Sequence, residues 1–411
     1  MVLARKFRFV GSGVHVQETN LVRKSDRRTR FVVAFAALRR SRTVVAVLLV
    51  AGTLAACAPP RPVSGFLAPV ATQVQGATEH TLFVATTRQR DATPGTLFNG
   101  ERSPTLSFAE LTVSVPPTHV PGAVEFARAA PGDPNTEFVA RSAEILDGDR
   151  AFLQALNAQL AQRPKGKRDI FLFIHGFNTL FAEAAYTQAQ VVHDSATVSV
   201  PVVFTWASRG DPFQYVYDNN SATVARDNLV HTLKLLLASN AEKINILAHS
   251  MGNWATVEAF RQLKLTNGVK DKSKIGVILL AAPDLDFDVF KSQLRSFGKI
   301  NRPFYVILSR DDKALGISSF IAGGQTRVGN ATNAAELTAL GATVIDLSDV
   351  QANDPVNHGK FMELATIGPQ LRSVLATGVK AGRGPGAAAV ATNSLVTLLG
   401  APVKIIGAVA Q

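Results

Sequence analysis

The pentapeptide Ala248-His-Ser-Met-Gly252 joins two segments of opposite character, and that junction constrains the fold more than any other stretch. Before it, Lys243-Ile-Asn-Ile-Leu-Ala-His249 is a short apolar run of the kind that fills a strand buried on both faces. After it, residues 251–263 read as a helix. A chain that turns from strand to helix this sharply brings neighbouring backbones into contact, so the positions two before and two after Ser250 must be small, as Ala248 and Gly252 are. The alternation continues on both sides. Residues 169–175, 200–206, 274–281, 302–308 and 342–347 read as strands, and residues 181–196, 221–239 and 361–376 as helices; in the second of these Val224, Leu229, Leu233 and Leu236/Leu237 share a face. Strands alternating with helices predict an α/β fold built on a doubly wound, mostly parallel sheet.

The main domain is expected over residues 79–377. Short strand-like runs at 81–86, 106–115 and 137–140 suggest an opening β-region within that domain. Residues 57–78, rich in Pro, Ala and Gln and aperiodic, read as an extended tether. The Gly/Ala-rich tail, 378–411, reads as a loosely ordered end; its apolar stretch is interrupted by Asn393, Gly400, Pro402 and Lys404, which argues against a membrane span.

The net charge of +12 suggests a nucleic-acid partner until it is located. Residues 1–56 hold eleven Lys and Arg against Glu18 and Asp26, which leaves 32 basic and 29 acidic groups in the remainder. The body is nearly neutral and has no basic stripe with interleaved aromatics, so no nucleic-acid partner is expected. The charge belongs instead to a targeting segment: Arg39, Arg40 and Arg42 precede an apolar run too short to span a bilayer, which ends Leu54-Ala-Ala-Cys57. That ending resembles the lipobox of bacterial lipoproteins, in which the Cys is acylated and becomes the first mature residue. Residues 1–56 are therefore expected to be a basic extension and signal peptide, with lipidation at Cys57. Cys57 is the single cysteine, so no intramolecular disulfide and no cysteine metal cluster can form.

The junction at Ser250 also carries chemistry. It matches the nucleophile elbow G-x-S-x-G with Ala248 in the first glycine position, at the start of a helix where positive partial charge favours a developing oxyanion. A hydroxyl needs a positioned base to attack at neutral pH. In folds with this elbow the base follows the nucleophile and the acid in chain order, and of eight histidines only His358 lies beyond Ser250. His175 and His249 are placed for other work, in a strand-end loop and at the elbow itself. The acid should follow the strand at 302–308, where Asp311 and Asp312 are adjacent and spacing does not separate them. Asp284, Asp286 and Asp288, after the preceding strand, form a competing set. The oxyanion donors are expected to be the backbone N–H of Met251 and, in the loop His175-Gly-Phe-Asn178, that of Phe177. No metal is expected, because no His or Cys accompanies the acidic triplet, and the chemistry requires no cofactor.

Together these pieces resemble the α/β-hydrolase superfamily and, within it, the domain-of-unknown-function 900 group. The matching runs are Phe173-Ile-His-Gly-Phe-Asn178, Phe204-Thr-Trp-Ala-Ser208, Ala248-His-Ser-Met-Gly-Asn253, Ala282-Pro-Asp-Leu-Asp286 and Asp312-Lys-Ala-Leu315. The resemblance covers about residues 80–376 and implies an α/β-hydrolase fold with a hydrolytic triad. It aligns the family's acid with Asp312 rather than Asp311, and it names no substrate. The expected activity is hydrolysis of an ester or related acyl bond, in a small-molecule or lipid substrate; the resemblance to lipoproteins implies an exported protein anchored in the cell envelope and facing the periplasm. An acyltransferase would use the same triad, and a surface binding module that kept the fold would show a degraded elbow or lack the base. Residues 206–217, with Phe213, Tyr215 and Tyr217, identify no lipase lid and read equally well as a loop lining any apolar acyl pocket.

Overall fold

The computed structural model describes residues 64–266, 272–297, 304–366, 393–398 and 401–407. Residues 1–56, expected as a signal segment, and Cys57 lie outside them. The described strands form one eleven-stranded sheet in the order β10-β11-β9-β8-β7-β6-β4-β5-β1-β2-β3. Its centre is a parallel run of β9 (Thr343–Asp346), β8 (Phe304–Leu308), β7 (Ile275–Ala281), β6 (Ile244–His249), β4 (Ile170–Ile174), β5 (Val200–Thr205) and β1 (Thr78–Arg90). Antiparallel β2 (Phe98–Val115) and β3 (Val139–Leu146) extend one edge. This is the doubly wound, mostly parallel sheet expected from the alternation.

Both faces of the sheet are covered, which is why its central strands are apolar without interruption. On β4, Leu172 and Ile174 belong to one core and Phe173 to the other, following the two-residue period of a strand. The first core takes Phe152, Leu156 and Leu160 of α1 (Gly148–Ala161), Leu229, Leu233 and Leu236 of α3 (Tyr215–Ala238), Ala255 of α4 (Gly252–Leu265) and Phe290 of α5 (Phe287–Phe297). The second takes Phe181, Ala185 and Tyr186 of α2 (Phe181–Asp194) and Phe361 and Leu364 of the last described helix. Strand β4 has β5 on one side and β6 on the other, so chain order reverses there. The loops after β4 and β6 therefore meet at the carboxyl ends of the strands, where open α/β sheets bind ligands.

Several stretches differ from the sequence reading. Strands β1, β2 and β3 run beyond the expected 81–86, 106–115 and 137–140, and the helices Gly148–Ala161, Phe287–Phe297 and Lys313–Ile321 were not expected. Three further differences bear on packing. Residues 64–72 contain no strand or helix but do not form a free tether: Phe66 and Leu67 are buried, Tyr186 donates to the Phe66 carbonyl at 2.6 Å, and Val70 N–H donates to Ala140 at 2.9 Å. Two buried apolar side chains and these bonds outweigh the local Pro content. In the tail, β10 (Asn393–Leu398) and β11 (Ala401–Ile406) pair as an antiparallel hairpin, and β11 joins the β9 edge through Lys404, Ile405 and Ile406. Finally α3 starts six residues before the expected helix, because its first turns, from Tyr215, bind the neighbouring loops rather than the core stripe.

Candidate active site

Ser250 occupies the turn between β6 and α4 with φ +52°, in the left-handed region that a non-glycine residue enters only at a cost of about 1–3 kcal/mol. The surroundings hold it there. Its N–H donates to the Ala281 carbonyl at 2.9 Å, and its own carbonyl accepts from Asp284 N–H at 3.2 Å and from Asn253 Nδ2 at 2.8 Å. Asn253 Nδ2 also bonds Ala281 at 3.0 Å, fastening the elbow to the end of β7. A methyl at Gly252 would lie 2.3 Å from the His175 carbonyl oxygen, and one at Gly176 would lie 2.7 Å from Ser250 Cβ. Both glycines are needed because the elbow and the loop after β4 are in direct contact.

His358 stands in the loop after β9, with Nδ1 2.7 Å from Asp312 Oδ2 and the Asp312 side chain fully buried. Asp312 comes from the end of β8 and also starts α6 (Lys313–Ile321): its Oδ1 accepts from Leu315 N–H at 2.9 Å. With one oxygen capping the helix, the other is aimed at the imidazole. The histidine loop is shaped by Asp354, whose carboxylate accepts from Val356 at 2.9 Å, His358 at 3.2 Å and Gly359 at 2.7 Å. Lys313 N–H donates to the Val356 carbonyl at 3.0 Å, tying the start of α6 to that loop. Asp311 faces elsewhere, onto the Lys360 ammonium at 2.8 Å and Asn357 Nδ2 at 3.0 Å. His249 packs on the rings of His358 and Phe361 (centroids 4.7 and 4.5 Å), and its Nε2 donates to the His358 carbonyl at 3.3 Å. Burial, then the neighbouring His358, holds its pKa well below the ordinary value. It props the loop as a neutral ring.

The loop after β4 rests on buried polar groups. His175 Nδ1 donates to the Gly176 carbonyl at 2.8 Å, and its Nε2 accepts from Trp206 N–H at 3.1 Å. Trp206 Nε1 returns a bond to the His175 carbonyl at 3.0 Å, with the rings stacked at 4.8 Å. Burial, and then the charge on Arg88, pulls His175 down to about 3, so it is neutral at working pH. The Arg88 guanidinium is buried behind it and donates to Ser208 and Thr179 carbonyls, each at 2.7 Å; burial pushes it down to about 10. Buried Asp218 of α3 accepts from Ser208 Oγ at 2.5 Å, Arg209 N–H at 3.0 Å and Asn178 N–H at 3.1 Å, and burial raises its pKa. The Phe177 and Met251 amides have no acceptor among the described residues.

The competing acids are engaged away from His358. Asp284 is buried against Arg327 at 3.2 Å, accepts from Tyr215 Oη at 2.9 Å and bonds Ser318 Oγ. Asp286 caps the start of α5 through Asp288 and Val289 N–H at 2.9 and 3.0 Å, and Asp288 pairs with Lys291 at 2.9 Å. The residues of the aromatic loop are divided: Tyr215 packs edge-on against Phe177, ring centroids 5.3 Å apart, while the others face elsewhere. Trp206 is core, Tyr217 lies beneath the guanidinium of Arg209 at 3.7 Å, and Phe213 is 91% exposed. A cavity of about 270 Å³ borders Phe66, Arg88, Phe98, Leu180 and Arg209 but neither Ser250 nor His358. Sequence reasoning missed Arg88, Asp218 and Arg327. Arg88 follows the apolar run Leu82-Phe-Val-Ala85 in the polar stretch Thr86-Thr-Arg-Gln-Arg90, which gives no local sign that its guanidinium is buried.

A model of the family described as "Alpha/beta hydrolase of unknown function (DUF900)" matches residues 149–374, and the chain belongs to that family. No curated protein matches the chain. Among solved structures, a Pyrobaculum calidifontis esterase is similar at 13% identity, over 57% of this chain and 94% of its own, with a TM-score of 0.28. A mutant of the esterase rPPE is similar at 13% identity, over 72% and 83%, with a TM-score of 0.28. PdxK of Plasmodium falciparum is similar at 10% identity, over 45% of this chain and 65% of its own, just under two thirds, with a TM-score of 0.26.

Proposed function

We propose that this member of the family is a serine hydrolase that cleaves an ester or related acyl bond through an acyl-enzyme on Ser250. The observation that carries the reading is the 2.7 Å bond between His358 Nδ1 and the buried Asp312 carboxylate, set at the same end of the sheet as the strained Ser250 elbow. With Nδ1–H directed at Asp312, the other ring nitrogen of His358 is left without its proton. It takes the proton of Ser250 as the hydroxyl attacks the carbonyl, and Asp312 stabilises the imidazolium that results. Phe177 and Met251 N–H groups hold the oxyanion, which suits two amides with no acceptor of their own. His358 then returns the proton to the leaving group and activates the water that releases the acid.

Labelling with a fluorophosphonate probe tests the proposal. Wild type labels; Ser250→Ala does not, and His358→Ala labels more slowly by several orders of magnitude. A wild type that fails to label, or a Ser250→Ala protein that still labels, overturns it. Product analysis with an added alcohol separates hydrolysis from acyl transfer, since only transfer yields a new ester. We also propose that the segment ending Leu54-Ala-Ala-Cys57 exports the protein and that acylation of Cys57 anchors it in the cell envelope. One acyl chain binds a membrane only marginally, so the anchor requires more than one. Mass spectrometry of the mature N-terminus reads this independently: an unmodified Cys57 in the cell-derived protein refutes it.

A further inference from the structure

A second cluster of ionisable side chains lies at the opposite end of the sheet from Ser250. Helix α2 runs back between the parallel strands β4 and β5, so its last residues, His193 and Asp194, reach the amino ends of the strands. His80 is the third residue of β1, ahead of the point where β1 pairs with β5, and so sits at the same end. His119 arrives from the loop after β2. One ligand atom each from His119, His193 and Asp194 lie within 4.8 Å of one another.

The hydrogen bonds around these three residues orient them as ligands. Asp194 Oδ2 accepts from Gly122 N–H at 2.7 Å and from Gln190 Nε2 at 2.5 Å, which leaves Oδ1 facing His119 Nε2 at 2.9 Å. His119 Nδ1 faces Glu125 Oε2 at 2.8 Å, and the other Glu125 oxygen accepts from Val120 N–H at 2.8 Å. An imidazole with one nitrogen on an anchored carboxylate and the other turned into a ligand set is the arrangement that fixes metal-binding histidines. His193 Nδ1 likewise meets His80 Nε2 at 3.2 Å, which keeps its second nitrogen available. A purely structural ion pair would need only His119 between its two carboxylates. It gives no reason for two further imidazoles, His193 and His80, that bond no carboxylate among the described residues.

We propose that His119, His193 and Asp194 bind a divalent transition-metal ion of the zinc class, with Glu125 and His80 as the outer partners that orient the two imidazoles. Two imidazole nitrogens and one carboxylate oxygen suit such an ion and leave a position for water, whereas calcium and magnesium call for oxygen-rich sets. The ion would fasten the loop between β2 and β3 to the end of α2. It is separate from the reaction at Ser250.

The test uses the full chain without a histidine tag, stripped with a chelator and titrated with Zn²⁺ alone against a chromogenic competitor at neutral pH. Wild type takes up one equivalent. His193→Ala and Asp194→Asn weaken it at least ~100-fold, and His80→Ala, an outer partner, by about 10–100-fold. Saturating Zn²⁺ raises the melting temperature of wild type but not of His193→Ala. Asp194 also holds the Gly122 turn, so if its variant does not fold, His193→Ala alone decides. Absence of stoichiometric uptake by wild type, or wild-type affinity in His193→Ala, overturns the proposal. Fluorophosphonate labelling of Ser250 stays unchanged in His193→Ala, so this failure and a failure of the hydrolase reading are distinguishable.

Discussion

Replacing Gly252 with alanine tests how the elbow and the loop after β4 depend on each other. The added methyl would stand 2.3 Å from the His175 carbonyl oxygen and 2.8 Å from that of Ile174, where ordinary contact begins at 3.4 Å. Relief therefore requires roughly 1 Å of movement, and both obstructing atoms are backbone, so no side chain can rotate away. What moves is either the start of α4, just after Met251, or the end of β4, which leads into the loop holding Phe177. Overpacking of this kind costs about 1–3 kcal/mol. A misplacement of about 1 Å near the chemistry costs on the order of 100-fold in rate. Gly252→Ala is therefore expected to fold, to melt several degrees lower, and to react with a fluorophosphonate about 100-fold more slowly. Gly316→Ala is the control: it lies in α6, exposed, with nothing within 4 Å of the new methyl, and should match or slightly exceed wild-type stability at unchanged rate. Circular dichroism melts and second-order labelling rates measure both. The reasoning is refuted if Gly252→Ala equals wild type in both measurements, or if Gly316→Ala loses as much rate.

Two further outcomes follow from the geometry around His358 and His175. Asp312→Asn keeps an oxygen for Leu315 N–H, so its melting temperature should stay close to wild type while the labelling rate falls about 10³–10⁴-fold; Asp312→Ala should lose the same rate and, in addition, about 1 kcal/mol for the missing cap. Asp311→Asn should lower stability through Lys360 and leave the rate within tenfold of wild type. The second outcome concerns pH. His175 is held at about 3 in the folded protein, against 6.5 unfolded, so the unfolded chain binds the extra proton as the solution is acidified. Its contribution to stability is therefore complete above about pH 6.5 and is lost at roughly 1.4 kcal/mol per pH unit as pH falls toward 3. Denaturant midpoints at pH 7 and pH 5 measure the slope, and a His175→Asn protein with an equally steep loss would exclude His175 as its source.

The fold was legible wherever local composition and position along the chain agree. Apolar runs flanking Ser250 announce a buried strand, and the paired small residues Ala248 and Gly252 announce the turn. The same reading placed β4 to β9 to within two residues, but it started β2 at residue 106 rather than Phe98 and ended β3 at residue 140 rather than Leu146. It failed where stability comes from distant partners. Arg88 is satisfied by the Ser208 carbonyl 120 residues away, and Asp284 by Arg327, 43 residues on, so nothing within a short window signals either. The tail hairpin was hidden for a related reason. Asn393–Leu398 and Ala401–Ile406 carry the β-branched residues of strands, but β11 is specified by an open edge at β9 that only the assembled sheet supplies.

Asp311 and Asp312 show most closely where local reading ends. They are adjacent, equally acidic and equally well placed after β8, so composition and spacing treat them alike. They differ in relation to the helix that follows. Asp312 is the N-cap of α6, and Leu315 N–H takes its Oδ1. A cap residue has extended backbone geometry (ψ is 105° here), which turns its side chain back across the helix start rather than outward. Its second oxygen therefore points at whatever lies beside the first turn, and Lys313 N–H, bonded to Val356, draws the His358 loop to that place. One residue earlier, Asp311 is outside the helix and meets Lys360 instead. The direction of the acid is thus set by where α6 begins. A substitution that moved that start by one residue, without touching Asp312 or His358, should break the 2.7 Å contact between them.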